Sequence, residues 1–142
     1  MIKLVKELYT AVVEVTGGRR GGTARSADGV LDLALQAPRE TGGPGGATNP
    51  EQLFAAAYAA CYTSALQVVA RQRQVALTDT RVTAEVTLGI DGEDKYGLRA
   101  RLRVSGGGVS AEQLRELAEA AHATCPFSRA IAGNVQVDTE VV

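Results

Sequence analysis

The longest apolar stretch of the chain runs from Thr48 to Val69 and predicts a helix without a polar face. Its start carries initiation signals of three kinds. Asn49, like Thr48 before it, can cap the free amides of the first turn, and Pro50 suits the first helical position. Glu51 is favoured near the positive end of the helix dipole. The pattern therefore predicts a helix that begins near Asn49.

This segment stays apolar up to Arg71, and most of its residues are small. A helix that is apolar on all sides is expected inside a protein, where its alanines allow close packing. We do not expect it to span a bilayer, because polar residues recur within it. These residues are Glu51, Gln52, Thr63 and Ser64. The interpretation is a central buried helix that holds Cys61 at a fixed depth.

Strands are predicted on both sides of this helix, because apolar and polar residues alternate there. The pair Asp28-Gly29 predicts a hairpin around residues 23–30, and the run at 91–94 joins two strands that each have one buried and one wet face. The glycine-rich loop from Pro38 to Thr48 could act as a movable flap. The extended segments are predicted at residues 4–15, 31–35, 81–90, 96–104 and 135–141.

A second helix is predicted after the glycine cluster at residues 106–108. Ser110 and Gln113 form a capping box, in which each side chain satisfies a backbone N–H of the other residue. Pro126 disfavours helical geometry at the preceding residue, so Cys125 is expected at the end of this helix. The apolar stripe that leads to it consists of Leu114, Leu117, Ala118 and Ala121.

The predicted elements are about six strands and two helices, with strands before and after the buried helix. This order favours an α+β fold in which antiparallel sheets pack around the central helix that carries Cys61. The chain of 142 residues is expected to form a single domain over 1–142. One sheet in so small a chain cannot cover a helix on every side, so a homodimer is predicted.

Charge and composition narrow the class of protein. The net charge is −1, aromatic residues make up 4% of the chain, and no basic stripe is present, so nucleic acid is not expected as a partner. The N-terminus has no apolar run of signal-peptide length, and a cytoplasmic location without a membrane anchor is expected. Two cysteines in a reducing compartment are more often free, redox-active or catalytic than joined in a permanent disulfide.

Cys61 is the first candidate for chemistry. A cysteine in an alanine-rich helix is commonly an inert buried residue, and a reactive one needs a cation or dipole that stabilises the thiolate. The start of its own helix is too distant to help. Arg19 and Arg20, held in a glycine-rich loop, could supply the charge, and Glu51 is a suitable carboxylate for binding a guanidinium. Solvated loop arginines and a Glu51 without a special role remain the alternative.

Cys125 is the second candidate. The two cysteines lie at the apolar edges of the two predicted helices, and if they meet they could form a redox couple. Their spacing excludes a thioredoxin-type CxxC site. His122 lies three residues before Cys125, and a nucleophilic dyad of Cys61 with His122 is an open alternative. A metal site of these three residues is not expected, because it lacks a fourth ligand and the usual paired spacing.

Four segments of the chain together resemble one known family. They are the GGR motif in the early loop, PRETGG before the central helix, NPEQLFAAAYAACY in that helix and AHATCPFSRA near the end. In this order they are similar to the organic hydroperoxide resistance proteins, the Ohr branch of the Ohr/OsmC superfamily. The resemblance covers nearly the whole chain and includes both cysteines. It implies an intertwined α+β homodimer with sites near the subunit interface.

The resemblance also implies a function. Its members are thiol-dependent peroxidases that reduce organic hydroperoxides, including alkyl and fatty-acid hydroperoxides, with no metal or other cofactor and with a lipoylated protein or another dithiol as reductant. Carried onto this chain, the attacking cysteine is Cys61 and the resolving cysteine is Cys125. Arg19 is the arginine of the GGR motif, and Glu51 is the acid that holds it. An apolar wall for the substrate is expected from Leu53, Phe54, Tyr58, Phe127 and Ile131.

Three positions depart from the family pattern. Arg20 adds a second positive charge beside Arg19 and could compete for Glu51. Ala57 stands where glycine is common, and Ile131 stands where threonine is usual. These departures affect packing and tuning more than the four central groups.

Two other classes of function stay open at the level of the sequence. A non-catalytic binding or stress-associated protein on the same fold would have slow thiols that do not respond to peroxide. A thiol-based sensor would oxidise and signal through a partner, although the sequence contains no DNA-binding element.

Overall fold

The computed structural model describes the whole chain, residues 1–142. The chain forms two compact units, residues 1–50 and 51–142, and the single domain over 1–142 stays a prediction. Apart from a short 3-10 helix at Arg39–Thr41, the elements in chain order are β1 (Val13–Thr16), β2 (Gly22–Ser26), β3 (Asp32–Leu35), α1 (Pro50–Gln72), β4 (Thr78–Ile90), β5 (Tyr96–Gly107), α2 (Ala111–Thr124), α3 (Pro126–Ile131) and β6 (Gln136–Val141).

The first unit contains a three-stranded antiparallel sheet in the order β1-β2-β3. Asp28 closes the turn between β2 and β3, because its Oδ1 accepts hydrogen bonds from Ser26 Oγ at 2.5 Å and from the backbone N–H of Val30 at 3.0 Å. Gly29 in this turn has a φ of 74°, which glycine adopts without strain. The predicted hairpin around residues 23–30 is confirmed.

The N-terminal strand is shorter than the alternating pattern predicts. Pairing begins only at Val13, which lies opposite Ser26 at the end of β2. No partner strand extends beyond this point, so residues 4–12 are not in a sheet and the prediction of a strand there was wrong for the single chain. Alternation indicates an extended backbone, but a strand also needs a neighbour. The exposed apolar residues of this segment are Ile2, Leu4, Val5, Leu8, Tyr9 and Val12.

Arg19 and Arg20 lie in the tight turn between β1 and β2. A side chain at Gly22 would place its Cβ 2.2 Å from the carbonyl oxygens of both Thr16 and Gly18, so only glycine fits there. The turn is therefore closely packed backbone that carries two long cationic side chains. Arg19 is half-buried and Arg20 is exposed.

The loop from Pro38 to Thr48 leaves β3 and returns to it. The backbone N–H of Gln36 donates to the carbonyl oxygen of Thr48 at 2.9 Å, and Leu35 forms an isolated parallel bridge with Thr48. Both ends of the loop are thus anchored beside the same strand. Its role as a movable flap stays a prediction.

The second unit contains a sheet in the order β4-β5-β6. β4 and β5 form the predicted hairpin, with Ile90 opposite Tyr96 beside the turn. β6 runs parallel to β5, so the prediction of antiparallel sheets was wrong for this strand. The reason is the connection: α2 and α3 lie between β5 and β6, and a helical crossover allows the chain to re-enter the sheet in the same direction.

One face of α1 packs into the core of the second unit. It shares a hydrophobic cluster with Leu102 and Val104 of β5 and with Leu117 and Ala121 of α2. The buried residues of α1 are Tyr58, Tyr62, Ala65, Leu66, Val69 and Ala70.

The opposite face of α1 is exposed in the single chain, including Ala56, Ala60 and Ser64. The prediction that α1 is buried on all sides therefore holds for one of its faces only. The polar residues within the helix are satisfied locally, because the hydroxyls of Thr63 and Ser64 donate to the carbonyl oxygens of Ala59 and Ala60, one turn earlier, at 2.7 and 3.0 Å.

By length and composition alone, α1 is apolar enough to cross a membrane, and 33% of its most apolar window is buried. The expectation that its polar residues exclude a membrane span is therefore not supported by composition. A core helix of a soluble protein meets the same criterion, and the buried face of α1 is such a core face.

The junction of α2 and α3 places the second cysteine. The predicted capping box is confirmed, with the N–H of Gln113 donating to Ser110 Oγ at 3.2 Å and the N–H of Ser110 donating to Gln113 Oε1 at 3.0 Å. Cys125 is extended, with φ −71° and ψ 118°, and it ends α2 as expected before Pro126. The six-residue helix α3, which starts at Pro126, was missed because its apolar pattern is too short to be recognised.

Candidate active site

The two cysteines meet although 64 residues separate them in the chain. Cys61 projects from α1 and Cys125 from the junction of α2 and α3, and their Sγ atoms lie 3.7 Å apart. Both are free thiols; Cys61 is half-buried and Cys125 is completely buried. A disulfide bond is about 2.05 Å long, so the pair is a reduced dithiol in contact, close enough to close with a small movement.

Groups within residues 51–142 act on the Cys61 thiol in opposite directions. Burial, the largest effect, raises the pKa of Cys61, and the neighbouring Cys125 raises it further. The backbone N–H of Phe127, in the first turn of α3, hydrogen-bonds the sulfur and lowers the pKa. The resulting pKa of Cys61 lies above the ordinary value of a cysteine. These groups alone therefore do not produce a thiolate at neutral pH, and a cation is needed for that.

Three aromatic rings pack together in the core cluster against which Cys61 is partly buried. Phe54 meets Tyr58 and Phe127 edge to face, with ring centroids 6.1 and 6.2 Å apart, and Tyr58 stacks on Phe127 at 6.2 Å. Phe54, Phe127 and Ile131 are partly buried against the cluster that contains Tyr58. Leu53 is half-buried and lies outside this cluster. Tyr58 is fully buried. The role of these five residues as a substrate wall stays a prediction.

A chain of hydrogen-bonded polar side chains links α1, α3, α2 and β6. Ser128 Oγ lies 2.9 Å from Tyr58 Oη and 2.9 Å from His122 Nδ1, and His122 Nε2 lies 2.8 Å from Thr139 Oγ1. Both ring nitrogens of His122 are thus bonded to hydroxyls. The alternative of a dyad between His122 and Cys61 is therefore not realised in this structure.

Burial lowers the pKa of His122, with Glu119 opposing the shift, so the ring is neutral at pH 7. A neutral imidazole offers one donor and one acceptor, which suits a position between two hydroxyl groups. A cleft of about 580 Å³ lies beside this chain and is lined in part by Tyr58, His122, Ser128 and Thr139. No three His, Cys, Asp or Glu side chains converge in a way that could hold a metal ion.

Arg19 and Glu51, the other two predicted site residues, lie on different elements. Arg19 is in the turn between β1 and β2, within the first unit. Glu51 is in the first turn of α1, at the start of the second unit, and is half-buried. Their predicted roles toward Cys61 therefore stay predictions.

Comparison with known proteins connects this geometry to a family. The family model of the OsmC-like protein matches residues 43–140. The organic hydroperoxide resistance protein OhrA of Bacillus subtilis is 49% identical over 94% of this chain and 96% of its own length. The organic hydroperoxide resistance protein of Xanthomonas axonopodis is 44% identical over 93% of each chain.

The chain belongs to the OsmC-like family, in the branch of the organic hydroperoxide resistance proteins. A crystal structure from this family agrees with the fold. The organic hydroperoxide resistance protein OsmC of Legionella pneumophila is 45% identical and superposes with a TM-score of 0.91 over 96% of this chain and 98% of its own. The predicted membership and the α+β fold around a central helix are confirmed.

Two features of this OsmC-like site were missed by sequence reasoning. One is the Phe127 amide at Cys61, which depends on the unpredicted helix α3. The other is Ser128, which is 7% exposed and joins two helices by hydrogen bonds. The motif CPFS contains a signal for the first, since Pro126 favours a helix start. No local signal marks the partners of Ser128.

Proposed function

We propose that this protein is a cysteine-based peroxidase that reduces organic hydroperoxides to alcohols and so protects against oxidative stress. The observation that carries the proposal is the pair of free thiols 3.7 Å apart, one half-buried and one fully buried. A partly accessible thiol can meet a peroxide, and a buried neighbour can capture the oxidised product. The names of relatives that match over more than nine-tenths of the chain support the same substrate class.

The reaction has two steps. In the first, the Cys61 thiolate attacks the outer oxygen of the hydroperoxide, the O–O bond breaks, and the leaving alkoxide takes a proton to become the alcohol. Cys61 is left as a sulfenic acid. In the second, the Cys125 sulfur attacks the Cys61 sulfur, the hydroxyl leaves as water with the Cys125 proton, and a Cys61–Cys125 disulfide forms. The peroxide is reduced and the dithiol is oxidised by the same two electrons.

Arg19 is the proposed source of the cation that Cys61 needs. Burial and Cys125 raise the pKa of the thiol, so the thiolate requires a compensating positive charge. A guanidinium stays charged at all relevant pH values and can be held by a carboxylate through two parallel hydrogen bonds, which is the role proposed for Glu51. The same guanidinium would stabilise the negative charge that develops on the leaving alkoxide.

The proposed substrate contacts favour an organic hydroperoxide. Phe54, Phe127 and Ile131 are partly buried against the same core cluster as Cys61 and are the proposed apolar surface for an alkyl chain, together with the half-buried Leu53 of α1. Tyr58 would act by holding the stacked Phe127 ring in place. Burial of alkyl groups against such a wall is favourable by about 0.8 kcal/mol for each CH₂ group. The scheme uses no metal, flavin or haem.

The oxidised enzyme needs an external dithiol to return it to the reduced state. A lipoylated protein or another dithiol in the cytoplasm is the proposed reductant, which attacks the Cys61–Cys125 disulfide through a mixed disulfide. The half-buried Cys61 is the accessible sulfur for this attack.

The direct test is the intact mass of the reduced protein after one equivalent of an alkyl hydroperoxide. We expect a prompt loss of about two mass units, mapped by peptide analysis to a Cys61–Cys125 bridge. Prior alkylation of the thiols is the control and should prevent the change. An unchanged mass after several minutes would contradict the proposal and leave a binding protein on this fold.

A homodimer is also proposed, because the single chain exposes two apolar surfaces. One is the face of α1 that contains Ala56 and Ala60, and the other is the apolar segment of residues 2–12. We expect sedimentation as a dimer at micromolar concentration, and dissociation in Ala56→Glu, which places a charge on the exposed α1 face. Thr87→Glu, on the wet face of β4, is the matched control and should stay dimeric. A monomeric unsubstituted protein would contradict the proposal.

A further inference from the structure

We propose that Ser128 is a positioning residue for the resolving step, holding Cys125 at the distance from which it can attack oxidised Cys61. The inference rests on the proposed peroxidase function and adds a residue to which that function assigns no role. It is carried by the placement of the Ser128 hydroxyl between two helices.

The helix that carries Ser128 cannot be stable by itself. α3 has six residues, and isolated helices shorter than about a dozen residues are marginal in water. Its position therefore depends on what ties it to the rest of the unit. Phe127 and Ile131 of α3 pack partly buried against the core, and Ser128 is the one polar residue of the helix that is buried, so a hydroxyl group is among the anchors of α3.

This hydroxyl joins α3 to both of its neighbours. Ser128 Oγ lies 2.9 Å from Tyr58 Oη on α1 and 2.9 Å from His122 Nδ1 on α2. Tyr58 is fully buried and away from solvent, so its hydroxyl would lose its hydrogen-bonding partner without this contact. A buried hydroxyl group left unpaired is unfavourable, so the contact is strongly specified.

The hydrogen-bonded series of side chains ends at Thr139 on strand β6. His122 Nε2 lies 2.8 Å from Thr139 Oγ1 on β6, and the neutral ring can donate on one side and accept on the other. The ring orientation is thereby fixed, and with it the position of the nitrogen that faces Ser128. Three helices and one strand are thus joined through side-chain hydrogen bonds.

The hydrogen-bonded residues lie close to both cysteines in the sequence. His122 lies three residues before Cys125, Ser128 lies three residues after it, and Tyr58 lies three residues before Cys61. Each cysteine is therefore one helical turn or less from a residue of the polar chain. A shift of α3 relative to α1 or α2 would move the Cys125 sulfur away from Cys61.

Such a shift matters because the resolving step has a competitor. The sulfenic acid on Cys61 either condenses with Cys125 or reacts with a second peroxide to give the sulfinic acid. The sulfurs are 3.7 Å apart and must approach to about 2.05 Å for the bond to form. Loosening α3 lowers the rate of condensation, whereas the competing oxidation depends on peroxide concentration and on Cys61.

The test measures the ratio of disulfide to Cys61 sulfinic acid over a series of alkyl hydroperoxide concentrations, by mass spectrometry of the intact protein. In Ser128→Ala we expect this ratio to fall about tenfold, which corresponds to the loss of one buried hydrogen-bonding partner. Ser64→Ala is the matched control, because Ser64 lies three residues after Cys61, is exposed, and bonds only the carbonyl of Ala60. Its ratio should not change.

Further variants separate positioning from general stability. Ser128→Thr retains the hydroxyl and should restore most of the ratio. Tyr58→Phe keeps the ring and removes one hydrogen bond to Ser128, so it should lower the ratio. It serves as the test if Ser128→Ala does not fold. An unchanged ratio in folded Ser128→Ala, or in Tyr58→Phe where the serine variant does not fold, would overturn the inference. Failure of the unsubstituted protein to form any disulfide would instead overturn the proposed function.

Discussion

Replacing Cys61 by serine should abolish peroxide reduction, lowering turnover at least about a thousandfold, because serine at neutral pH offers no thiolate to attack the O–O bond. Serine differs from cysteine by one atom, so the packing of the half-buried site changes little. The measurement is steady-state consumption of an alkyl hydroperoxide with a dithiol reductant in excess. Thermal unfolding of the variant, compared with that of the unsubstituted protein, shows whether the loss reflects chemistry or folding.

Cys125→Ser is the matched partner of this experiment and should behave differently. The Cys61 thiol remains, so the variant should consume about one equivalent of peroxide and then stall or over-oxidise at Cys61. Its product should carry added oxygen rather than lose two hydrogen atoms. Equal turnover in the two variants would contradict the division into an attacking and a resolving cysteine.

Replacing Arg19 by alanine should raise the pKa of Cys61 and lower the rate of its reaction with hydroperoxide about a hundredfold, within the range found for removal of one charge-stabilising donor. The direction follows from the loss of a positive charge, which leaves the upward pKa shift caused by burial and Cys125 without compensation. A higher pKa leaves less thiolate at pH 7, so the rate should rise more steeply between neutral and alkaline pH in the variant. The measurement is the pH dependence of Cys61 alkylation, together with the single-turnover rate.

Two neighbouring variants serve as controls for this assignment. Arg20→Ala removes an equal charge from the adjacent, exposed position and should change the pKa of Cys61 much less. Arg19→Lys keeps the charge and loses the two-pronged geometry, so it should recover part of the pKa shift and less of the rate. A larger effect of Arg20→Ala than of Arg19→Ala would transfer the role to Arg20, and no effect of either would remove the arginine from the mechanism.

Local patterns predicted those parts of the fold that depend on near neighbours in the chain. The Asp28-Gly29 turn, the hairpin of β4 and β5, the capping box at Ser110 and the extended Cys125 before Pro126 were predicted and are confirmed. Each depends on the preferred backbone geometry of a few residues or on a hydrogen bond across three or four positions. Such interactions change little with the rest of the structure.

The errors fall where a distant partner decides the outcome. The alternation in residues 4–12 predicts a strand, but no neighbouring strand is present in the chain. The pattern of β6 is the same for parallel and antiparallel pairing, and only the crossover through α2 and α3 determines its direction. Helix α1 has no polar face, so its sequence does not show which face is buried. The buried face is determined by the elements that pack against it.

For the candidate site, the sequence by itself determined the residue types and the family. Motifs in the sequence named both cysteines as candidates for chemistry, whereas the roles of Arg19, Glu51 and the apolar wall are implied by the resemblance and stay predictions. The family membership followed from the same motifs and is confirmed by relatives that match over nearly the whole chain.

Only the tertiary structure decided how the parts of the site meet. The 3.7 Å contact between Cys61 and Cys125 arises from packing α1 against the junction of α2 and α3, across 64 positions of the chain. The same packing places the Phe127 amide at the Cys61 sulfur and the Ser128 hydroxyl between Tyr58 and His122. These contacts depend on burial and shape in three dimensions, and no local preference along the chain encodes them.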